Sequence, residues 1–253
     1  AAAFRLIKAD DIVEASNYVR AGLRAYMSAR AGAPDRTADA LAMIGRAVPA
    51  TAMTDAMSFS VARAQLGLAE QRERGMATLR RLCDSTDKVV AAESLKTVAG
   101  MLYGDGKYAE SAELYRKALA IRPDDAEVLN NLAFTLSAHL LKHDEALPLA
   151  QKAVELMPNN ASILDTLGSV HLAMRDYDKA EAVLARAVAA AGSPAEKTMP
   201  LVHSIITRLE KGDRTGADQL KRELDLAVDQ DRRIAERYGK ELESLRKRLD
   251  NRN

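Results

Sequence analysis

The chain has 253 residues, of which 47% are hydrophobic and only 4% are aromatic, and its formal net charge is +1. This balanced, mixed charge argues against a nucleic-acid-binding protein, because such proteins carry a basic stripe. Cys83 is the only cysteine, which excludes an internal disulfide framework. No apolar run approaches the roughly 20 residues that a membrane-spanning helix needs.

The first residues read Ala-Ala-Ala-Phe, without an initiator Met and without the basic-then-apolar pattern of a signal peptide. We interpret this as a processed or truncated start, so that the chain is a C-terminal part of something longer. A bacterial cytoplasmic or periplasmic location fits equally well, because one unpaired cysteine does not choose between them.

Residues 1–90 predict four amphipathic helices at 11–30, 36–48, 53–68 and 72–83, from apolar residues that recur at helical spacing. An Ala-Gly-Ala-Pro break at 31–34 and Pro49 separate the first three. We interpret 1–50 and 51–90 as two degenerate helix pairs.

Residues 91–194 repeat one pattern three times. Ser111, Ala146 and Ala180 hold equivalent places and are 35 and 34 residues apart. The second copy carries one extra residue near 138–142, in the turn between its two predicted helices. A fixed period of this length is typical of stacked helical arrays.

Each copy predicts two helices that pack closely. Small residues stand where two helix backbones would approach each other, namely Ala99, Ala133, Gly168, Ser111, Ala146 and Ala180. Large apolar residues recur at i, i+3 and i+4 and fill the seam between the helices. Pro123 and Pro158 stop the second helix in two copies, because proline cannot continue it.

The three copies resemble the tetratricopeptide repeat (TPR) family. The third copy carries Leu167-Gly168, Tyr177, Ala180, Leu184 and Ala187 at the places of the family pattern, whereas the signature Trp is absent from all copies. The resemblance implies an all-α fold, a right-handed α-solenoid of stacked helix-turn-helix repeats. It also implies that the first helix of each pair lines a concave face, which binds a partner peptide or helix.

Mapped onto this chain, the implied partner-binding residues fall on the first helix of each copy. They are Glu93, Lys96, Thr97, Gly100 and Tyr103; Glu127, Asn130, Asn131, Phe134 and Ser137; and Ser162, Asp165, Thr166, Ser169 and Leu172. Asn131 corresponds to a family position that holds a peptide backbone, and an amide both donates and accepts. Phe134 is either an anchor for a partner side chain or is covered by a neighbouring helix.

One family specialisation binds the carboxylate tails of chaperones through a clamp of Lys, Asn and Arg. Lys96 and Asn131 fit two of its positions, but Gly100, Ser162 and Thr166 do not fit the others. Because the third-copy cations are missing, a terminal carboxylate would lose its charge-assisted hydrogen bonds. The sequence therefore argues against chaperone-tail recognition.

Residues 195–253 predict a degenerate fourth helix pair at 201–210 and 215–228, followed by a charged helix at 231–250. That helix has one narrow apolar stripe: Ile234, Tyr238, Leu242, Leu245 and Leu249. Such a stripe is what a solenoid's terminal cap needs. The alternative is a coiled-coil seam that dimerises the chain, although only about two heptads fit.

No pattern for an active site occurs. His139 and His143 have i,i+4 spacing but fall across the predicted turn without a third ligand nearby. We therefore expect no catalytic residue, no metal and no cofactor. The predicted function is a protein–protein interaction scaffold; the alternatives are a regulatory or assembly arm of a larger enzyme or membrane complex, and a homo-oligomerising solenoid.

Overall fold

A computed structural model describes residues 69–250, and this range contains helices and turns but no strand. The described residues divide into two compact units, 69–105 and 106–250, and each is described by itself. The helices predicted between 11 and 68 lie outside the described residues.

In the first unit, α1 (Ala69–Leu82) packs against α2 (Lys88–Gly104). The Asp87 carboxylate accepts the Val89 and Val90 amide hydrogens and so starts α2. Leu79 and Val98 are fully buried in this pair. Helix α1 corresponds to the helix that the sequence predicts at 72–83, but it begins three residues earlier.

The second unit contains the remaining described helices, and first and second helices of successive pairs alternate along the chain. They are α3 (Tyr108–Ile121), α4 (Ala126–Phe134) with a π-helical segment (Thr135–His139), α5 (His143–Leu156), α6 (Ala161–Ala173), α7 (Tyr177–Ala190), α8 (Pro194–Glu210), α9 (Arg214–Gln230), α10 (Arg233–Arg237) and α11 (Gly239–Asp250).

Within this unit the helices stack as pairs. Helices α4, α6 and α8 pack against their own second helices α5, α7 and α9, and α5 and α7 also pack against the first helix of the next pair. Short side chains make this possible. A Cβ added at Gly168 would lie 2.5 Å from Cγ and Cδ2 of Leu184, so α6 and α7 approach closely only because this residue is glycine. The predicted fold class is confirmed.

Polar caps explain where the helices begin. The Asp125 carboxylate accepts the Val128 amide hydrogen at the start of α4, and the Asn160 side chain accepts that of Ile163 at the start of α6, each at 3.1 Å. Each cap supplies an acceptor for an amide that has no partner inside its helix. Helices α3 and α5 end just before Pro123 and Pro158, as the sequence predicts.

The extra residue of the second copy is absorbed by the π-helical segment rather than by a longer loop. The Leu140 amide donates to the Thr135 carbonyl five residues earlier. Leu141 then adopts a positive φ of 55° with 74% of its surface exposed. Arg175 (φ 60°) holds the corresponding turn of the third copy.

Two predictions for the C-terminal part are wrong in their bounds. Helix α8 begins at Pro194 rather than at 201, because the Ser193 hydroxyl caps it and Pro200 is tolerated inside the helix. The single helix predicted at 231–250 is two helices, α10 and α11, which meet at Tyr238. Leu242, Leu245 and Leu249 of α11 are buried, and α11 packs against α8, as a terminal cap requires.

Candidate functional site

The first helices of the second unit form a continuous surface, which we call the first-helix face. Helix α6 packs against both α4 and α8, so the three helices lie side by side. The residues of this face used below are Glu127, Asn130, Asn131, Phe134, Ser162, Asp165, Ser169 and His203.

Two adjacent amides lie on α4. Asn130 and Asn131 are half-buried, and the Asn130 Nδ2 donates weakly to the Asn131 Oδ1 at 3.4 Å. The Asn130 Oδ1 is buried and has no hydrogen-bond partner among the described residues. A buried acceptor without a donor is uncommon and costs on the order of 1–3 kcal/mol.

Phe134 at the end of α4 and His139 in the π-helical segment form an aromatic cluster with Tyr108 of α3. The His139 ring stacks on Tyr108 at 3.7 Å between ring centroids with an angle of 7° between the planes, and Phe134 meets His139 edge-on at 5.9 Å. Burial lowers the pKa of His139, which favours the neutral ring. Phe134 is therefore partly covered, by a ring from the following turn, and half-buried.

Helices α6 and α8 are joined by an acid–base pair. Nδ1 of His203 lies 2.7 Å from Oδ1 of Asp165, and the two side chains are 15% and 13% exposed. Burial alone would lower the pKa of His203, but the charge and the hydrogen bond of Asp165 raise it above its ordinary value. The imidazolium form is thus stabilised at this site.

Two predicted hydroxyls on α6 are engaged within their own helix. Thr166 is 4% exposed and donates to the Ser162 carbonyl at 3.1 Å, so it contributes to packing and not to the open surface. Ser169 is half-buried and donates to the Thr166 carbonyl at 2.8 Å.

The predicted residues of the first copy all lie on α2, in the first unit. Lys96 pairs with Glu93 at 3.0 Å, and the Thr97 hydroxyl donates to the Glu93 carbonyl at 2.8 Å. Gly100 is exposed and Tyr103 is half-buried.

The histidines at 139 and 143 are engaged separately. His139 stacks on Tyr108, whereas Nδ1 of His143 lies 3.0 Å from the Ser137 hydroxyl. Within residues 69–250, no group of three or more His, Cys, Asp or Glu side chains is arranged to hold a metal ion. In the same range, no helix is both long and apolar enough to cross a bilayer.

The sequence did not indicate the role of His203. Asp165 was a predicted face residue, but its partner His203 is 38 residues away, in a fourth copy whose sequence is too degenerate to align with the others. The pair could have been found only by aligning α8 correctly with the first helices of the other copies. The unexpectedly early start of α8 prevented that alignment.

The family comparison agrees with this geometry. A family model described as "Tetratricopeptide repeat" matches residues 124–193, and one described as "TPR repeat" matches 101–139. Residues 101–193 of the chain are tetratricopeptide repeats. No curated relative matches it in sequence.

Solved structures of other TPR proteins share the fold. MamA from Desulfovibrio magneticus RS-1 aligns with a TM-score of 0.59 at 18% identity, covering 71% of this chain and 99% of that one. YrrB, described as a TPR protein with an unusual peptide-binding site, aligns with a TM-score of 0.54 at 21% identity, covering 74% and 91%. The TPR fold is that of a protein–protein interaction scaffold.

Proposed function

We propose that this TPR protein is a non-catalytic scaffold whose first-helix face binds an extended peptide segment of a partner protein. The observation that carries the proposal is the amide pair Asn130–Asn131 with the Phe134 ring one turn further on. Amides can donate to and accept from a peptide backbone, and an aromatic ring offers an apolar anchor to a partner side chain.

The unpaired Asn130 Oδ1 supports this assignment. A rotation of the Asn130 side chain would let this oxygen accept an N–H from a bound backbone. Lys96, Thr97, Gly100 and Tyr103 on α2 stay predictions of the sequence.

The test is a selection of random dodecapeptides from a displayed library on the full chain. The double variant Asn131→Ala, Phe134→Ala should lose the selected peptides, while its unfolding free energy falls by only about 1 kcal/mol from the lost Phe134–His139 contact. The matched control is Gln151→Ala, Glu155→Ala, which changes two exposed residues of the second helix α5. Equal binding by both double variants would refute the proposal.

Two other roles stay predictions. An arm of a larger enzyme or membrane complex requires a further domain in the native protein, which the intact mass of that protein would reveal. Self-assembly requires a mass above that of the monomer in light scattering of the chain. Leu242, Leu245 and Leu249 of α11 are buried, which supports the terminal cap over a coiled-coil seam.

A further inference from the structure

The Asp165–His203 pair lies between two helices of the proposed binding face. Its Nδ1–Oδ1 hydrogen bond of 2.7 Å occupies one nitrogen of the imidazole, and His203 makes no second side-chain hydrogen bond within the described residues. Nε2 is not among the buried polar atoms that lack a partner. The His203 side chain is 15% exposed, so part of its ring can be reached from the face.

The pair fixes which nitrogen carries the proton. A carboxylate only accepts hydrogen bonds, so Nδ1 keeps its hydrogen whether His203 is charged or neutral. Nε2 is then the nitrogen that titrates: it is a donor in the imidazolium form and an acceptor in the neutral form. Titration of His203 thus reverses the hydrogen-bonding character of one point on the face.

Among the neighbouring charged groups of the described residues, Asp165 is the one that influences the titration of His203. Its carboxylate is the charge that acts on His203, whereas other charged groups on the packed helices pair with one another. These pairs are Glu181 of α7 with Arg208, Lys197 with Glu223 of α9, and Glu210 with Arg248 of α11.

The charges on the face itself select the kind of acceptor. Among the described face residues, the charged side chains are Glu127, Asp165 and His203. With His203 protonated, these three side chains sum to a net negative charge, which disfavours a carboxylate of the partner. A neutral carbonyl oxygen avoids this repulsion and still accepts the hydrogen bond.

We propose that His203, held by Asp165, is a specificity-determining residue of this face that donates its Nε2–H to a carbonyl oxygen of the bound peptide. The inference rests on the proposed function. Binding is strongest while His203 is protonated and weakens as the pH rises, because the neutral Nε2 and the carbonyl oxygen are both acceptors.

The test uses the peptide selected above, prepared as the free acid and as the C-terminal amide. Its affinity for the full chain is measured by fluorescence polarisation on both sides of the ordinary histidine pKa of about 6.5. Loss of a hydrogen bond from a charged donor predicts at least a roughly tenfold weakening at high pH. The amide should bind as well as the acid, and a strong preference for the acid would contradict the carbonyl assignment.

Two variants separate recognition from a merely structural role. His203→Gln carries an amide that reaches the place of Nε2 and does not titrate, so binding should persist and lose its pH dependence. In Asp165→Asn the new amide can donate to Nδ1, so the neutral imidazole can keep its hydrogen on Nε2 and binding at high pH should be retained. Unchanged pH dependence in both variants would overturn the inference.

The outcomes distinguish this inference from the proposed function. If the selected peptides bind independently of Asn131 and Phe134, the proposed function fails. If they need those residues but bind equally on both sides of the His203 titration, only the role of His203 fails. Long-range 1H–15N spectra of the free protein at high pH check the premise: we expect the Nδ1–H tautomer, and an Nε2–H tautomer would overturn it.

Discussion

The second and third copies solve the same packing problem with different residues. Ala133 and Gly168 hold the equivalent close position, but the second copy has one residue more before its second helix. The third copy turns directly at Arg175, whereas the second forms a π-helical turn and places His139 on Tyr108. An insertion was therefore accommodated without disturbing the stacking, and it brought an aromatic ring next to the binding face.

The largest expected effect is on the third copy, where helices approach through glycine. Gly168→Leu should destabilise the chain by about 1–3 kcal/mol or more, because even a Cβ would press on Leu184, which is itself fully buried. Urea unfolding followed by circular dichroism measures this. Gly104→Ala is the control, since a Cβ there meets no atom within 4 Å; an equal loss in both variants would contradict the account.

The stability contributed by the contact between α6 and α8 should depend on pH, whereas that contributed by the contact between α4 and α6 should not. The folded pKa of His203 is raised, so its stabilisation is fully present below the unfolded pKa of about 6.5 and is lost as the pH rises through the higher folded value. Asp165→Asn should cost roughly 1.5–3 kcal/mol at low pH, the usual worth of a hydrogen bond to a charged group, and less at high pH.

Melting temperatures of wild type and Asp165→Asn across this pH range check the prediction. Glu127→Gln is the control, because it removes an exposed carboxylate from α4. A constant difference between wild type and Asp165→Asn at every pH would show that His203 does not titrate in the folded chain as described.

A smaller effect should come from the aromatic stack of the second copy. His139→Ala and Tyr108→Ala, combined in a double-mutant cycle, should give a coupling free energy of about 0.5–1.5 kcal/mol. The third copy lacks the insertion and has Met174 at the position of His139, and His143 stands at the position of Tyr108, so the same cycle at His143 and Met174 should give a smaller coupling. Equal couplings in both copies would mean that the π-helical turn contributes nothing specific.

The smallest expected effect is at the turns with positive φ. A left-handed backbone costs a residue with a Cβ roughly 1–2 kcal/mol, and glycine loses about 0.5–1 kcal/mol through entropy. Leu141→Gly and Arg175→Gly should therefore each stabilise the chain by up to about 1 kcal/mol, as thermal unfolding would measure. Destabilisation by Leu141→Gly would indicate that its exposed side chain makes a contact that the structure lacks.

The sequence predicted the elements that follow from short-range rules. Helix pairing, the ends of α3 and α5 before proline and the close approach at Gly168 depend on residue size and spacing, and these are visible in the repeated pattern. The buried stripe of α11 was predicted for the same reason, since Leu242, Leu245 and Leu249 are spaced to lie on one side of a helix.

What the sequence did not predict depends on register and on competition between residues. An inserted residue can lengthen a loop or widen a helical turn, and only the hydrogen bond from Leu140 to Thr135 shows which happened. Thr166 was placed on the face by position, yet its hydroxyl is satisfied within its own helix. The Asp165–His203 pair needed the relative register of two copies, one of which is degenerate.

The most direct test of the central claim is a crystal structure of the chain with a selected peptide bound. The account predicts an extended peptide across α4, α6 and α8, with its backbone bonded to the amide of Asn131 and one carbonyl oxygen within hydrogen-bonding distance of Nε2 of His203. A peptide seated on the second helices α5, α7 and α9, or at the turns that join the pairs, would contradict it.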